Sequence, residues 1–233
     1  MITLLYPERC PVCLKIVLPK GAMLHPGCAH KLDRIEEPVC MKCGRILSEA
    51  EEEYCIDCSC MADRGWDMGS SLFPYHGAVG MTLRWVKKDG RAEFVRFFAK
   101  QMKQSRKAFI ERVAPDCIVP VPLHPSKQRS RGFNQAELLA EALGKELDIP
   151  VRLLLKKQKK TKDQKSLSKQ QRRKNVSDAF CVDEKELGER LPESVLLLDD
   201  VVTTGSTLTA CAKTLKACGV KKVAYLSVCV ADC

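Results

Sequence analysis

The chain has 233 residues, enough for one sizeable hydrophobic core and one small additional module. Hydrophobic residues make up 45% of it, as in a globular protein, and no apolar run is long enough to cross a membrane. The N-terminus lacks the basic start and long apolar stretch of a signal peptide, so we expect a cytoplasmic protein without membrane insertion.

The positive charge is concentrated in one segment. The formal net charge is +10, and residues 156–174 hold ten lysines or arginines and a single acid, which makes +9 for this segment alone. Such a local charge predicts either an anionic partner at a flexible basic loop, delimited here as 156–175, or a merely solvated loop. The candidate nucleic-acid contacts are Lys156, Lys157, Lys159, Lys160, Lys162, Arg172 and Arg173.

The first sixty residues repeat a pattern of metal ligands with a period of thirty. Without a signal peptide, fourteen cysteines indicate metal binding rather than disulfides. Two residues between ligands let both face one ion, and a closed set of four ligands is typical of structural Zn2+. We expect metal binding to drive folding of this segment, because it has little core of its own. The predicted ligands are Cys10, Cys13, His25 and Cys28 for one zinc, and Cys40, Cys43, Cys55 and Cys58 for the other.

Alternatives remain open in this repeat. His25 differs in type from the other ligands, so it could be an exposed loop histidine, and His30 competes for its place. Cys60 likewise competes at the second site, and a chain that keeps only one zinc also fits the pattern. We therefore expect a small zinc-binding module with two metal sites over residues 1–62, with occupancy of the first site open.

The remaining residues, 63–233, alternate between strand-like and helix-like segments. This alternation predicts an α/β domain with a mostly parallel sheet and helices on both faces. The predicted strands are 66–75, 117–121, 151–155, 179–182, 195–198 and 221–231, and the predicted helices are 78–86, 92–109, 136–147 and 208–218.

A basic, glycine-containing loop follows the strand at 117–121. It runs from Lys127 to Gln135 and is preceded by His124. Open α/β sheets bind ligands beyond the carboxyl ends of their strands, so this loop is a natural site for an anion.

The segment from Val195 to Leu208, VLLLDDVVTTGSTL, combines a buried strand, two carboxylates and a hydroxyl-rich loop leading into a helix. The helix N-terminus and the close approach that glycine permits make a phosphate cradle. Carboxylates would repel a phosphate, so they suit ribose hydroxyls or a Mg2+ shared with the ligand. A plain acidic turn followed by a Ser/Thr helix cap is the alternative. The predicted site residues are Asp199, Asp200, Thr203, Thr204, Gly205, Ser206 and Thr207.

This segment resembles the motif that binds 5-phosphoribosyl-1-pyrophosphate (PRPP) in type I phosphoribosyltransferases, and it lacks the Gly-Lys-Ser/Thr of a Walker loop. With the cysteine repeat, VPVPLH at 119–124 and RGFNQ at 131–135, the chain resembles the ComF family of bacterial DNA uptake and its GntX-type relatives. The resemblance implies a double zinc ribbon followed by a type I phosphoribosyltransferase domain.

The same resemblance implies roles for individual residues. Asp199 and Asp200 would hold the ribose diol, residues 203–207 the 5-phosphate, and His124 and Arg131 would lie near the pyrophosphate. The basic segment would be a mobile hood over this site. Lys87 and Arg91 match a basic element of the family, whereas His25 stands where relatives usually carry cysteine.

Two functions follow as expectations. The first is a PRPP-binding protein that handles single-stranded DNA in natural transformation, with a competence helicase as a partner. The basic segment lacks the aromatic residues on which single-strand binders stack bases, and Phe133 is the nearest. The second is an active phosphoribosyltransferase that transfers ribose 5-phosphate from Mg2+-bound PRPP to a nitrogenous base. An intact PRPP motif does not separate catalysis from sensing.

Overall fold

The computed structural model describes residues 7–19, 21–60, 63–157, 179–187 and 190–231. None of the helices in these ranges combines the length and apolar character needed to span a bilayer. In chain order the elements are α1 (Pro26–Ala29), α2 (Ile56–Ser59), β1 (Met68–Pro74), α3 (Gly77–Lys88), α4 (Phe94–Ser105), α5 (Lys107–Val113), β2 (Cys117–Pro120), α6 (Pro125–Arg131), α7 (Gln135–Leu147), β3 (Leu155–Lys157), β4 (Phe180–Val182), a 3-10 turn (Glu184–Glu186), β5 (Ser194–Val202), α8 (Ser206–Ala217) and β6 (Lys222–Val230).

Four strands form a parallel sheet in the order β1-β6-β5-β2. Beyond β2, Val151 adds a single parallel bridge to Ile118, and β3 and β4 pair separately as an antiparallel ladder. Parallel strands end at the same edge, so the carboxyl ends of all four lie together, where ligands bind in open α/β sheets. The predicted α/β class is confirmed.

Alternating side chains divide the core between the two faces of the sheet. Ile118, Leu196 and Leu226 pack in one cluster with residues of α3, α4, α7 and the first cysteine repeat. Leu197 and Tyr225 belong to the other cluster, with residues of α8 and the second cysteine repeat. Helices therefore cover both faces, as predicted, and each repeat packs into a different cluster.

The helix predicted at 92–109 is divided into α4 and α5 at Arg106, whose φ is −123°. The guanidinium of Arg106 turns inward and donates to the carbonyl oxygens of Ser71 and Ile35, at 2.7 and 3.0 Å from Nη2. The prediction of one continuous helix was wrong because Arg106 donates to two carbonyls outside it, that of Ser71 in edge strand β1 and that of Ile35.

Three other boundaries differ from the prediction. The strand expected at 151–155 reduces to the bridge at Val151, and regular pairing begins only at Leu155. The loop expected from Lys127 to Gln135 begins as a helix over 125–131, which ends at Gly132 with a φ of +82°. Strand β5 continues to Val202, so Asp199 and Asp200 lie within the strand, near its carboxyl end, rather than after it.

Candidate ligand site at the carboxyl edge of the sheet

The two carboxylates sit near the carboxyl end of β5, where Asp199 pairs in register with Ser227 of β6. The backbone N–H of Asp200 donates to Oδ1 of Asp199 at 2.8 Å. Lys87, from the last turn of α3, places Nζ 2.5 Å from Oδ2 of Asp200. The sequence had associated Lys87 with the family but had not placed it against this carboxylate.

The charges of this cluster do not balance. Burial, together with the neighbouring Asp200 carboxylate, raises the pKa of Asp199 well above its usual range. Burial would lower the pKa of Lys87, but the Asp200 and Asp199 carboxylates outweigh it and raise that pKa. One lysine thus faces two carboxylates, and a divalent cation or the hydroxyls of a diol would satisfy the remaining oxygens.

The loop after β5 has the geometry of an anion cradle. Gly205 is the N-cap of α8, with a φ of +73°, and it offers no side chain to cap the first helical N–H groups. Thr204 Oγ1 and Ser206 Oγ are 2.7 Å apart, so the hydroxyls gather at the same end of the helix. A twelve-residue helix with an open N-terminus favours a phosphate at this position.

His124 and Arg131 bracket α6, the short helix after β2. His124 is its N-cap, with Nδ1 accepting from the backbone N–H of Ser126 at 3.2 Å. Arg131 is half-buried in the last turn. Asn134 then caps α7 and donates to the carbonyl of Val121 at 3.1 Å, so it holds the return of the chain to β2. No residue of α6 is buried, and its basic side chains are available to an anionic ligand.

The basic segment is described only at its start. Lys156 pairs with Asp183 at 2.6 Å. Lys157 lies over the ring of Phe180, with Nζ 5.0 Å from the centroid, and burial lowers its pKa, against the attraction of the Cys211 and Asp199 side chains. The other candidate contacts lie outside the described residues: Lys159, Lys160, Lys162, Arg172 and Arg173.

The second cysteine repeat brings four sulfurs together, with all Sγ atoms within 4.8 Å of one another: Cys40, Cys43, Cys55 and Cys58. Burial raises the pKa of Cys58 to about 12, so four thiolates cannot coexist here without a cation. Four soft donors and no remaining position for substrate fit structural zinc. The competing Cys60 is exposed and does not belong to this cluster.

The first repeat gathers its ligands in the same way: Cys10, Cys13, His25 and Cys28. Nε2 of His25 lies 2.9 Å from the carbonyl oxygen of Ile16, which can only accept, so Nε2 carries the proton. Nδ1 is therefore unprotonated and can bind a metal ion with its lone pair; it lies 3.4 Å from Sγ of Cys13. This arrangement fits a zinc ligand rather than a loop histidine, and His30 is not in the cluster.

Sequence reasoning missed two arginines at this site. Arg45 and Arg64 donate to the carbonyl oxygens of Thr203 and Thr204, at 2.9 and 3.3 Å. They belong to the region of the second repeat, far from the loop in sequence. One difference between the repeats could have indicated this contact: Arg45 and Asp57 of the second repeat stand where the first has Lys15 and Gly27.

Comparisons with known proteins agree with this architecture. The model of the double zinc ribbon domain matches residues 1–59, and that of the phosphoribosyl transferase domain matches residues 131–232. Competence protein F of Haemophilus influenzae is 32% identical over 203 residues, which cover 84% of this chain and 86% of that protein. Competence protein ComFC of Bacillus subtilis is 31% identical over 199 residues, 81% and 76% of the two chains. DNA utilization protein YhgH of Escherichia coli O157:H7 is 34% identical over 230 residues, 96% and 97%. The chain therefore belongs to the ComF family, in which a double zinc ribbon precedes a phosphoribosyl transferase domain.

Proposed function

We propose that this protein binds PRPP with Mg2+ at the carboxyl edge of the sheet and handles single-stranded DNA during DNA uptake. The observation that carries the first part is the pairing of an open helix N-terminus with two carboxylates at the end of β5. A phosphate and a vicinal diol on one small molecule match these two halves, as in a ribose 5-phosphate.

Each part of the site has a defined task in this proposal. The 5-phosphate accepts from the N–H groups of the loop at Gly205 and from the hydroxyls of Thr204 and Ser206. The ribose hydroxyls donate to Asp199 and Asp200, while Mg2+ supplies charge for the pyrophosphate when bound. Lys87 holds Asp200 in place, and Arg131 and His124 offer positive charge and a donor on the β2 side of the edge.

The DNA-handling part rests on charge and on relatives. Residues 156–174 carry +9, and Lys127 and Arg129 of α6 are exposed beside the same edge. Similar proteins are named competence proteins and DNA utilization proteins. Phe133 packs against the core, so phosphate contacts rather than base stacking would dominate, and binding should fall steeply with salt.

The zinc ribbons would contact a helicase partner. Cysteines that form no disulfide suit the reducing cytoplasm.

An active phosphoribosyltransferase is the second candidate, favoured by the basic residues on the β2 side of the edge. In that case a nitrogenous base forms a bond to the anomeric carbon of PRPP, and the bond from that carbon to the pyrophosphate oxygen breaks, so pyrophosphate leaves. Positioning and charge stabilisation would supply most of the acceleration, with Arg131 and Lys157 near the leaving group.

The test is a calorimetric titration of PRPP with Mg2+ into the zinc-loaded full chain. We expect saturable binding that Asp199→Asn/Asp200→Asn abolishes, since it removes both charges that hold the diol and the cation. The matched control is Asp148→Asn, at the C-cap of α7 and far from β5 in the chain, which should leave the affinity unchanged.

Two further measurements separate the functions. Pyrophosphate release that needs both a base and Asp200 would show turnover, and no release with any common base removes the enzyme. Single-stranded DNA binding that is lost when the lysines and arginines of 156–174 are reversed to glutamate supports DNA handling, while unchanged binding excludes this segment as the DNA site. A wild-type chain that does not bind PRPP contradicts the first part of the proposal.

A further inference from the structure

Two largely buried arginines connect the second cysteine repeat to the phosphate loop. Arg45 donates from Nη2 to the carbonyl of Thr203 at 2.9 Å, and Arg64 donates from Nη1 to the carbonyl of Thr204 at 3.3 Å. Arg64 is only 4% exposed, and Arg45 only 17% at its side chain. Hydrogen bonds from charged donors in such places are stronger than exposed ones.

Both arginines are also held by the metal-binding knuckle itself. Asp57 lies in α2, between the ligands Cys55 and Cys58. Its carbonyl accepts from Nη2 of Arg64 at 2.6 Å, and its carboxylate pairs with Nη1 of Arg45 at 3.3 Å. The knuckle and the loop line one small cavity between them. The positions of both guanidinium groups therefore depend on a backbone turn that closes around the metal.

The geometry of the peptide group explains what these contacts do for the loop. In a planar trans peptide, a carbonyl and the following N–H point in opposite directions. Holding the Thr203 and Thr204 carbonyls towards the ribbon turns the N–H groups of Thr204 and Gly205 away from it. This restraint matters at Gly205, which has a left-handed φ of +73°, because glycine has no side chain to limit the rotation of its backbone.

Among the residues that the structure describes, no side chain of the first repeat donates to the loop at Thr203 and Thr204. The positions thirty residues before Arg45 and Asp57 are Lys15 and Gly27. Glycine offers no carboxylate, and lysine lacks the planar fork that lets one side chain bond two acceptors in fixed directions. The connection thus belongs to the second ribbon and is not a general property of the fold of these repeats.

We propose that Arg45 and Arg64 are positioning residues for the phosphate loop, and that zinc in the second ribbon sets their positions. Metal occupancy at that site then controls the affinity of the loop for its anion. The nature of the ligand, PRPP, rests on the function proposed above. The effect of the two arginines on the conformational order of the loop does not rest on that function, and this order can be measured without any ligand.

The experiment measures two quantities in the zinc-loaded full chain and its variants: amide hydrogen exchange over residues 199–209, and the affinity for PRPP with Mg2+ by calorimetry. The variants are Arg45→Lys, which keeps the charge but loses the fork, and Cys58→Ser, which opens the second metal site. The controls are Arg9→Lys, whose guanidinium donates to the Leu14 carbonyl at 2.9 Å, and Cys28→Ser, the equivalent ligand in the first ribbon.

We expect faster exchange in the loop for both variants. In Arg45→Lys the affinity should fall by about tenfold, the loss of one hydrogen bond from a charged donor, and in Cys58→Ser it should fall further because the whole ribbon loosens. Arg9→Lys should match the wild type in the loop, and Cys28→Ser should loosen the loop less than Cys58→Ser does. Unchanged exchange in Arg45→Lys overturns the proposal, as does equal loosening in Cys28→Ser and Cys58→Ser. A wild type that fails to bind PRPP would reject the proposed function, while the exchange data still decide whether the arginines order the loop.

Discussion

The two cysteine repeats have the same spacing but different surroundings. The first presents three thiols and an imidazole, and it packs in the cluster of α3 and α4, where Thr82 Oγ1 donates to the carbonyl of Pro11. The second presents four thiols and packs against Tyr225, whose hydroxyl donates to the carbonyl of Cys43 at 2.9 Å. Only the second also reaches the loop at Thr203, among the residues that the structure describes.

The difference teaches that a duplicated metal-binding unit can keep the spacing of its ligands while its neighbours acquire separate tasks. The backbone of the second repeat lies directly against β1: a Cβ added at Gly44 would come within 2.8 Å of the Gly69 carbonyl oxygen, and the Gly69 N–H donates to the carbonyl of Lys42 at 2.7 Å. Such close backbone contact transmits small shifts, because packed interiors have little room to absorb them. The first repeat is placed to stabilise, and the second to stabilise and to connect.

Metal removal should give the largest effect and should separate the two sites. We expect a chelator to take zinc from the first ribbon before the second, since two of its four ligands, Cys13 and His25, are half-buried, whereas only Cys55 is half-buried in the second. Structural zinc contributes an apparent free energy of about 10–16 kcal/mol, so each loss should unfold its ribbon.

The two tryptophans allow this order to be measured. Trp66 lines the cavity beside the second site, and Trp85 lies one turn from Thr82 on α3, which contacts the first repeat. Trp85→Phe therefore reports the second ribbon by fluorescence, and Trp66→Phe reports the first. Zinc released per chain should reach two. An earlier change at Trp66 than at Trp85 would reverse the expected order.

Removing one hydroxyl under each ribbon should have an intermediate effect. Tyr225→Phe and Thr82→Val each leave a buried carbonyl, of Cys43 or Pro11, without this donor, and we expect each to lower the free energy of unfolding by about 1–3 kcal/mol. Thermal melts of the zinc-loaded proteins measure that cost.

The ligand affinity of the same two variants sharpens the comparison. Tyr225→Phe loosens the second ribbon and should weaken PRPP binding, whereas Thr82→Val should leave it unchanged. Equal weakening by the two substitutions would mean that general loss of stability, and not the second ribbon, governs the loop.

The smallest effect is expected at Asp63, where the chain leaves the second ribbon. Its carboxylate pairs with Lys213 of α8 at 3.0 Å and accepts from the N–H of Gly65, and these contacts lower its pKa. A lowered folded pKa stabilises the protein above the unfolded value of about 3.9, and this contribution disappears as the pH falls through the folded pKa.

Asp63→Asn should therefore cost the same at pH 5 and pH 8, and less than about 1 kcal/mol because the pair is exposed. Melting temperatures in low and high salt measure it: the difference from the wild type should shrink at 1 M salt, where charges are screened. Glu51→Gln, an exposed acid of the second repeat, is the control. A cost that grew between pH 8 and pH 5 would contradict the assignment.

Local patterns carried most of the fold. Runs such as 195–198 and 222–230 indicate buried strands because apolar residues occupy both faces, with Lys222 and Ser227 the exceptions in the second run. Arg106 shows the limit: helical periodicity continues through it, and only the carbonyls beside β1 explain the break. Val151 is similar, because whether a short apolar run becomes a strand depends on a partner strand that the sequence does not identify.

The sequence by itself determined the spacing of the candidate metal ligands and the candidate phosphate loop, since both depend on spacings of a few residues that geometry translates directly into shared ligands or an open helix end. The tertiary structure alone decided that these two units touch. Arg45 and Thr203 are 158 residues apart, and neither changes the local pattern of the other. Their contact exists because the second repeat packs on one face of a parallel sheet whose carboxyl edge carries the loop, a placement that only the packed core specifies.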